Sequence, residues 1–308
     1  MLTNSSAFLK KADKGNYAIG GFNVNNMELL QAIVEAGVEK KSPLIIQTSQ
    51  GAIKYAGMEM LGAMVHSIAK DVNIPIAFHL DHGTDVDLVK EAINSGLYTS
   101  VMIDASSKPF NENVRITRSI VKAAHKKGIW VEAELGSIPG KEDDVDVLDK
   151  DAFFTDPEEA GAFIELTECD ALAVSIGTKH GVFKYSGGRA KLDVKRLIEI
   201  KKYTQVPLVL HGASEIPTEL KKVVEQYGAD LSDAFGVSSR VLKKSIANGV
   251  NKVNTDSDLR IAFTGGVDRF MTKNPSNMDP RKYLAAGREA TKKAVMRRID
   301  QLGSTNKV

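Results

Sequence analysis

"PIAFHLDHGTD", residues 75–85, starts as a buried strand and finishes as chemistry. Ile76, Ala77 and Phe78 are apolar, Asp81 and His82 stand side by side, and Gly83 follows where the chain must turn. An apolar run that ends in a carboxylate and an imidazole gains meaning if other runs end the same way. Seven more such runs recur: "AIGGFNVN" (18–25), "PLIIQTS" (43–49), "SVMIDAS" (100–106), "IWVEAELG" (129–136), "ALAVSIG" (171–177), "PLVLHGAS" (207–214) and "VNKVNTD" (250–256). Helical patterns lie between them. "MELLQAIVEAGVEKKS" and "DVDLVKEAINSG" space their apolar residues at three and four, and Gly37 and Gly96 stand where helix C-caps are expected. Strands alternating with helices are βαβ units on a parallel sheet. Eight of them predict an α/β fold, a (β/α)8 TIM barrel, with residues 1–308 as a single domain. A doubly wound sheet would want GxGxxG after the first strand, and it is absent; "TGGVDRF" comes late and follows no good strand. Beyond the eighth strand, "DPRKYLAAGREATKKAVMRRIDQL" predicts a long closing helix, a C-terminal helical extension of the barrel.

Composition narrows the function classes. The 308 residues are 43% hydrophobic and 26% charged, an ordinary globular balance. A net charge of +2 makes no case for a nucleic-acid or membrane partner. One cysteine, Cys169, excludes an intrachain disulfide and a Cys-based zinc site. The N-terminus has no apolar signal segment, and no run reaches the length of a membrane span, so a soluble cytoplasmic protein is expected. The loosest stretch is residues 136–159, acidic and without a clear period, and longer than most loops; such a segment is either functional or disordered.

In a parallel barrel the catalytic groups sit at the C-terminal ends of the strands. Read in order, those ends carry Asn23 and Asn25, Ser49, Asp81-His82, Asp104, Glu132 and Glu134, His180, His211, and Asn254 to Asp258. Polar groups cluster at one end of nearly every strand. Of the six histidines, His82, His180 and His211 fall at strand ends. Three imidazoles with an open position are the ligand set of a catalytic zinc, with Glu134 a fourth or alternate ligand and Asp104 beside it. Taken singly, a strand-end histidine is more often structural; the joint pattern carries the expectation. His66 and His125 sit in helical patterns, His79 suits a hydrogen-bonded place in the barrel core, and Cys169 suits a packed small residue. The loops after the last strands, "HGASEIP" and "NTDSDLR", offer Gly212, Ser214 and Ser257 to an anion, and "KHGVFKYSGG" adds Gly181 and Lys184. Arg260 and Arg281 suit a second anion further out; solvated surface arginines are the plain alternative.

"LDHG", "EAELG", "GTKHG", "LHGAS" and "NTDSDLR", with "GGFNVNN" near the start and "DPRKYL" near the end, resemble the class II, metal-dependent fructose-bisphosphate aldolases. The resemblance spans essentially the whole chain. It implies a homodimer or homotetramer and one catalytic zinc held by His82, His180 and His211. It implies Asp81 as the acid/base, Glu134 as a carboxylate that binds the metal when substrate is absent, and Asp104 and Glu132 close behind the ligands. Glu142 matches a glutamate on a mobile loop that handles the proton on the dihydroxyacetone phosphate carbon. Gly181, Gly212, Ser214, Asn254, Asp256 and Ser257 match positions that hold dihydroxyacetone phosphate. Arg260 and Arg281 match arginines for the second phosphate, with Asp279 near them, and Asn23 and Ser49 match positions near the substrate. A monovalent cation, Na+ or K+, belongs to the family around the strand-six histidine. Two departures stand out: Lys179 precedes that histidine, and Lys141 stands where relatives can carry an acid. Three rivals remain at this point: a Schiff-base aldolase using Lys179, a metal hydrolase on the same barrel, and a non-catalytic sugar-phosphate binder. Tagatose 1,6-bisphosphate, which differs at one stereocentre, remains open as a substrate.

Overall fold

A computed structural model describes residues 2–142, 145–147, 153–182 and 190–308. The predicted runs become strands β1 (Ile19–Asn23), β2 (Leu44–Ser49), β3 (Ile76–Gly83), β4 (Ser100–Ile103) and β5 (Trp130–Leu135). A short antiparallel hairpin follows, β6 (Gly140–Glu142) and β7 (Val145–Val147), and then β8 (Ala171–Val174), β9 (Leu208–Leu210) and β10 (Val250–Thr255). Apart from the hairpin the strands close in the order β1-β10-β9-β8-β5-β4-β3-β2, every pairing parallel. This is the expected (β/α)8 TIM barrel.

The two-residue period of the strands splits the core in two. Phe22, Leu44, Ile46, Phe78, Leu80, Val101, Val131, Leu172 and Leu210 face outward into the layer of helices. Ile19, Ile45, Ala77, Met102, Trp130, Ala171 and Val209 fill the barrel from its N-terminal end. Helix α1 (Ser6–Gly15), which the sequence patterns did not announce, covers that end, placing Phe8, Leu9 and Ala12 in the same cluster. The lower barrel is thus packed with side chains, and any reaction is left to the opposite mouth.

Helix α2 (Met27–Lys40) corrects one sequence expectation. Gly37 lies inside it, packed toward Leu44 and Ile74, and the left-handed C-cap is Lys41. The period had run out among lysines whose stems and charges fit a helix end as well as a loop. Helix α5 (Val86–Ser95) behaves as read, with Asp85 accepting from the Asp87 and Leu88 N–H groups and Gly96 as the left-handed cap. "TGGVDRF" falls inside α11 (Ser257–Lys273), and the closing helix is α12 (Pro280–Leu302), which packs on α11 and α2. Among the described residues no helix is long and apolar enough to cross a membrane.

Candidate active site

In a regular strand Asp81 and His82 would face opposite ways. Here the β3–β4 register shifts between Leu80 and Gly83, and His82 takes a left-handed φ of 47°. That conformation costs a branched or bulky residue about 1–2 kcal/mol, a local strain of the kind held at functional sites. Its effect is to turn both side chains into the barrel mouth. Asp81 Oδ2 accepts from Asn23 Nδ2 at 3.1 Å and Oδ1 from Asn254 Nδ2 at 2.9 Å. The His82 ring meets His180 and His211 edge-on, with centroids 4.9 and 4.3 Å apart. The adjacent acid and imidazole at the end of β3 therefore join one site.

The three imidazoles are buried, and their ligand nitrogens lie within 4.8 Å of one another. His82, Asp104 and Glu134 form a second group that meets the same criterion. The protonation pattern tests whether a cation fits. His211 Nε2 lies 2.7 Å from Glu132 Oε1, and His82 Nδ1 lies 3.2 Å from Asp104 Oδ2. Burial alone would raise the pKa of both acids. For Glu132, Lys252 and His211 outweigh it; for Asp104, His82 and the hydrogen bonds from Ser106 do so. Both acids are therefore carboxylates and only accept. Each ring donates its outer N–H to one of them, and its other nitrogen keeps a lone pair. Those two lone pairs, on His211 Nδ1 and His82 Nε2, face each other at 2.7 Å. A shared cation reconciles them. Glu134 Oε2, buried without a hydrogen-bond partner among the described residues and 3.7 Å from His211 Nδ1, points the same way. Burial and the Asp104 charge push the Glu134 pKa well up, the signature of a carboxylate suited to a metal counter-charge. Burial, and then His82, lower the pKa of His211 and keep it neutral, as a metal ligand must be. The donor set fits one divalent ion.

Below this layer lies a residue that the strand-end inventory missed. Lys252 is fully buried in β10, with Nζ 2.7 Å from Glu132 Oε2 and 3.5 Å from His79 Nε2. Its signal was the two-residue period: a lysine one inward step before Asn254. His79 is the core histidine expected, bonded to Ser100 Oγ at 2.9 Å and lowered to about 3 by burial and then by Lys252. Cys169 is buried, and burial pushes its thiol up to about 12, so it is an inert packed residue.

The anion-binding candidates converge on one side of the mouth. Gly212 has φ +58, and a Cβ there would lie 2.4 Å from Lys179 O, so the strand-six and strand-seven loops touch through a position only glycine fits. Ser257 opens α11, directly after the buried Asp256, and its Oγ donates to Gly181 O at 3.3 Å. Ser214 is also buried. A helix N-terminus that meets Gly181 through Ser257, with Gly212 packed on the strand-six loop beside it, suits a phosphate. Arg260 stands one turn into α11, with Nη2 2.8 Å from Asp256 Oδ2. Ser49 ends β2 in register with Asp81 and caps the next helix by accepting from Ala52 N. Arg281 is placed differently. It pairs with Asp279 at the start of α12 with its side chain 86% exposed, roughly 25 Å up the helix axis from Arg298. Lys184 lies outside the described residues.

The start of the acidic loop is anchored to the histidine cluster. β6 begins at Gly140, which bridges to His180, and His180 N donates to Pro139 O at 2.8 Å. Gly140 has φ +109, and a Cβ would sit 2.5 Å from His180 O. Glu142 ends the same strand, two residues on; its side chain lies outside the described residues. Gly140→Ala is expected to lower kcat/KM and metal affinity together by roughly tenfold, the range for a displaced support of a metal ligand. Steady-state kinetics and a chelator competition measure both, and wild-type values in each would show that His180 is not positioned through Gly140.

The sequence model of the family "Fructose-bisphosphate aldolase class-II" matches residues 3–307. A fructose-bisphosphate aldolase of Helicobacter pylori is 47% identical over 309 residues, covering 100% of both chains. One of Thermus caldophilus is 47% identical over 307 residues with the same coverage. Among solved structures, the YdjI aldolase of Escherichia coli K12 superposes with a TM-score of 0.81 at 31% identity, over 99% of this chain and 98% of that one. With its barrel, its histidine cluster and this full-length likeness, the chain belongs to the class II fructose-bisphosphate aldolases, a metal-dependent family of lyases.

Proposed function

We propose that the whole chain, residues 1–308 as one unit, cleaves fructose 1,6-bisphosphate reversibly to dihydroxyacetone phosphate and glyceraldehyde 3-phosphate. The observation that carries this is the Asp81 carboxylate, held by two asparagines beside three converging imidazoles at the barrel mouth. His82, His180 and His211 hold the metal, with Glu134 as the alternate ligand and Asp104 behind His82. Three imidazoles favour zinc, and the backbone around His180 is the place for Na+ or K+. When bound, the zinc would supply a Lewis acid at the substrate's ketone oxygen.

The chain's own residues do the rest. Burial raises the Asp81 pKa, but His82, Lys252 and the other neighbouring basic groups outweigh it and hold the carboxyl low, so Asp81 is a base. It takes the hydroxyl proton on the carbon beyond the scissile bond, and that carbon–carbon bond breaks to release the aldehyde phosphate. The electron pair stays with the dihydroxyacetone phosphate fragment, and Glu142 protonates that carbon. Gly181, Gly212, Ser214, Asn254, Asp256 and Ser257, with Lys184, hold the dihydroxyacetone phosphate end of the substrate; Arg260, and Arg281 beside Asp279, take the other phosphate. Asn23 fixes Asp81, and Ser49 lines the mouth. The enzyme would work in the cytoplasm as a homodimer or homotetramer, with a sugar bisphosphate as its small-molecule partner. The curated relatives carry the fructose name, which favours fructose over tagatose 1,6-bisphosphate.

The test is cleavage of both sugars before and after EDTA, then with zinc restored. Loss on chelation and recovery with zinc, with fructose 1,6-bisphosphate preferred, is the expected outcome. Activity untouched by prolonged chelation, with borohydride trapping of substrate on Lys179, would replace the metal mechanism by a Schiff base.

A further inference from the structure

We propose that Arg298, on the closing helix α12, is the positioning residue of the phosphate cradle, tying the loops after β9 and β10 to each other through one guanidinium. The proposal rests on the phosphate assignment above. Arg298 is only 2% exposed. Its Nη2 donates to Ala213 O at 2.7 Å and its Nε to Thr255 Oγ1 at 3.1 Å. Ala213 stands between Gly212 and Ser214; Thr255 directly precedes Asp256 and Ser257. The first contact thus falls between two anion-binding candidates, and the second two residues before a third, Ser257.

Peptide geometry gives the Ala213 contact a direction. The Ala213 carbonyl and the Ser214 N–H belong to one planar trans unit and point opposite ways. A charged donor on the carbonyl fixes that plane, turns the Ser214 N–H away from the guanidinium and polarises it as a donor. Such a bond to an ionised donor is shorter and stronger than a neutral one.

A second brace runs beside the first. Asp258 accepts from Ile216 N at 2.7 Å and from Glu215 N at 3.1 Å, holding a turn in which Ile216 has φ +51. Gln301 and Arg297, both on α12, reach Glu215 Oε2 at 2.6 and 2.9 Å. Burial lowers the Arg298 pKa, while Asp258 and Glu215 act to raise it. Its donors meet a backbone carbonyl, a hydroxyl and the Gln301 amide oxygen rather than a carboxylate. Burying a guanidinium among neutral acceptors is unfavourable as a device for stability alone. Placed behind two loops that face an anion, it has a use: fixed geometry and a fixed positive charge. The C-terminal extension is therefore part of substrate binding rather than only a cover for the barrel.

Arg298→Lys keeps the charge but cannot span both acceptors. The full-length, zinc-loaded variant is assayed for KM and kcat with fructose 1,6-bisphosphate, for inhibition by inorganic phosphate, and for zinc content and Tm. The expected result is a rise of roughly tenfold or more in both KM and the phosphate inhibition constant, the range for losing a hydrogen bond to a charged group. Saturated kcat and zinc content should stay near wild type. Thr255→Val, which removes one acceptor and leaves the charge, should shift both constants in the same direction by less, and stands in if the lysine variant does not fold. Wild-type KM and phosphate inhibition in a folded variant of either kind would overturn the proposal. So would a fall in Tm and kcat with phosphate affinity intact, which marks a structural role only. A wild-type enzyme that binds no phosphate and cleaves no fructose 1,6-bisphosphate would instead sink the functional assignment, and the Arg298 proposal with it.

Discussion

Asp81→Ala is expected to cleave fructose 1,6-bisphosphate roughly a thousandfold more slowly than wild type, within the range of a lost general base, with its metal still bound. The two halves of this expectation have separate physical sources. Metal retention follows because His82, His180 and His211 keep their own supports: His82 faces Asp104 and His211 faces Glu132, neither through Asp81. The rate loss follows because Asp81 presents the ionised carboxylate that Asn23 and Asn254 hold in one orientation. Removing it leaves two amides without their shared acceptor and no base at that place. KM should change less than kcat, since Asp81 acts on the hydroxyl proton in the transition state rather than on the phosphates. Turnover and metal content measured on the same preparation decide the matter. Normal turnover would remove Asp81 from the mechanism. Loss of metal along with activity would make Asp81 a support of the site rather than its base.

Lys252→Met is expected to destabilise the fold by about 3–5 kcal/mol, because it leaves Glu132 as an uncompensated charge in a fully buried place. In a domain of this size that lowers Tm by roughly ten degrees. The pH dependence fixes the cause. In the wild type the Glu132 pKa is depressed, despite the burial that raises it, chiefly by Lys252. A depressed pKa contributes stability that is present above the unfolded carboxylate value and is lost as pH falls through the lower folded value. The wild type therefore keeps this contribution into strongly acidic solution. Without Lys252, burial dominates and the Glu132 pKa moves up. Acid then protonates the stranded carboxyl and relieves its burial. The Tm gap between variant and wild type should narrow as pH falls from 8 to 5. A gap that stays constant would mean that the loss comes from packing and not from charge. The variant should also bind its metal more weakly, since Glu132 faces His211 Nε2.

Much was legible in the chain. Local periodicity placed the eight strands, the helices between them and the closing helix, because a strand or helix face repeats within a few residues and leaves its pattern in the sequence. The parallel arrangement put the reactive ends on one side, and the motifs at those ends carried the family resemblance. Besides α1 and Lys252, two features escaped for reasons that can be named. Gly37 was misjudged because a glycine packed inside a helix and a glycine ending one look alike in a lysine-rich stretch. The β6–β7 hairpin left no period because three-residue strands are too short to show one.

By itself, then, the sequence determined the barrel, the histidines and acids at its mouth, and the class of chemistry they suit. Only the tertiary structure decided how those groups face one another. His82 shares the mouth with Asp81 through a register shift and a positive φ, which reverse what strand alternation dictates. His211 meets His82 across 129 residues, Lys252 meets Glu132 across 120, and Arg298 reaches Ala213 across 85. Such pairings arise when the barrel closes β10 onto β1 and α12 packs over the seam, and no local pattern encodes them because neither partner constrains the residues beside it in the chain.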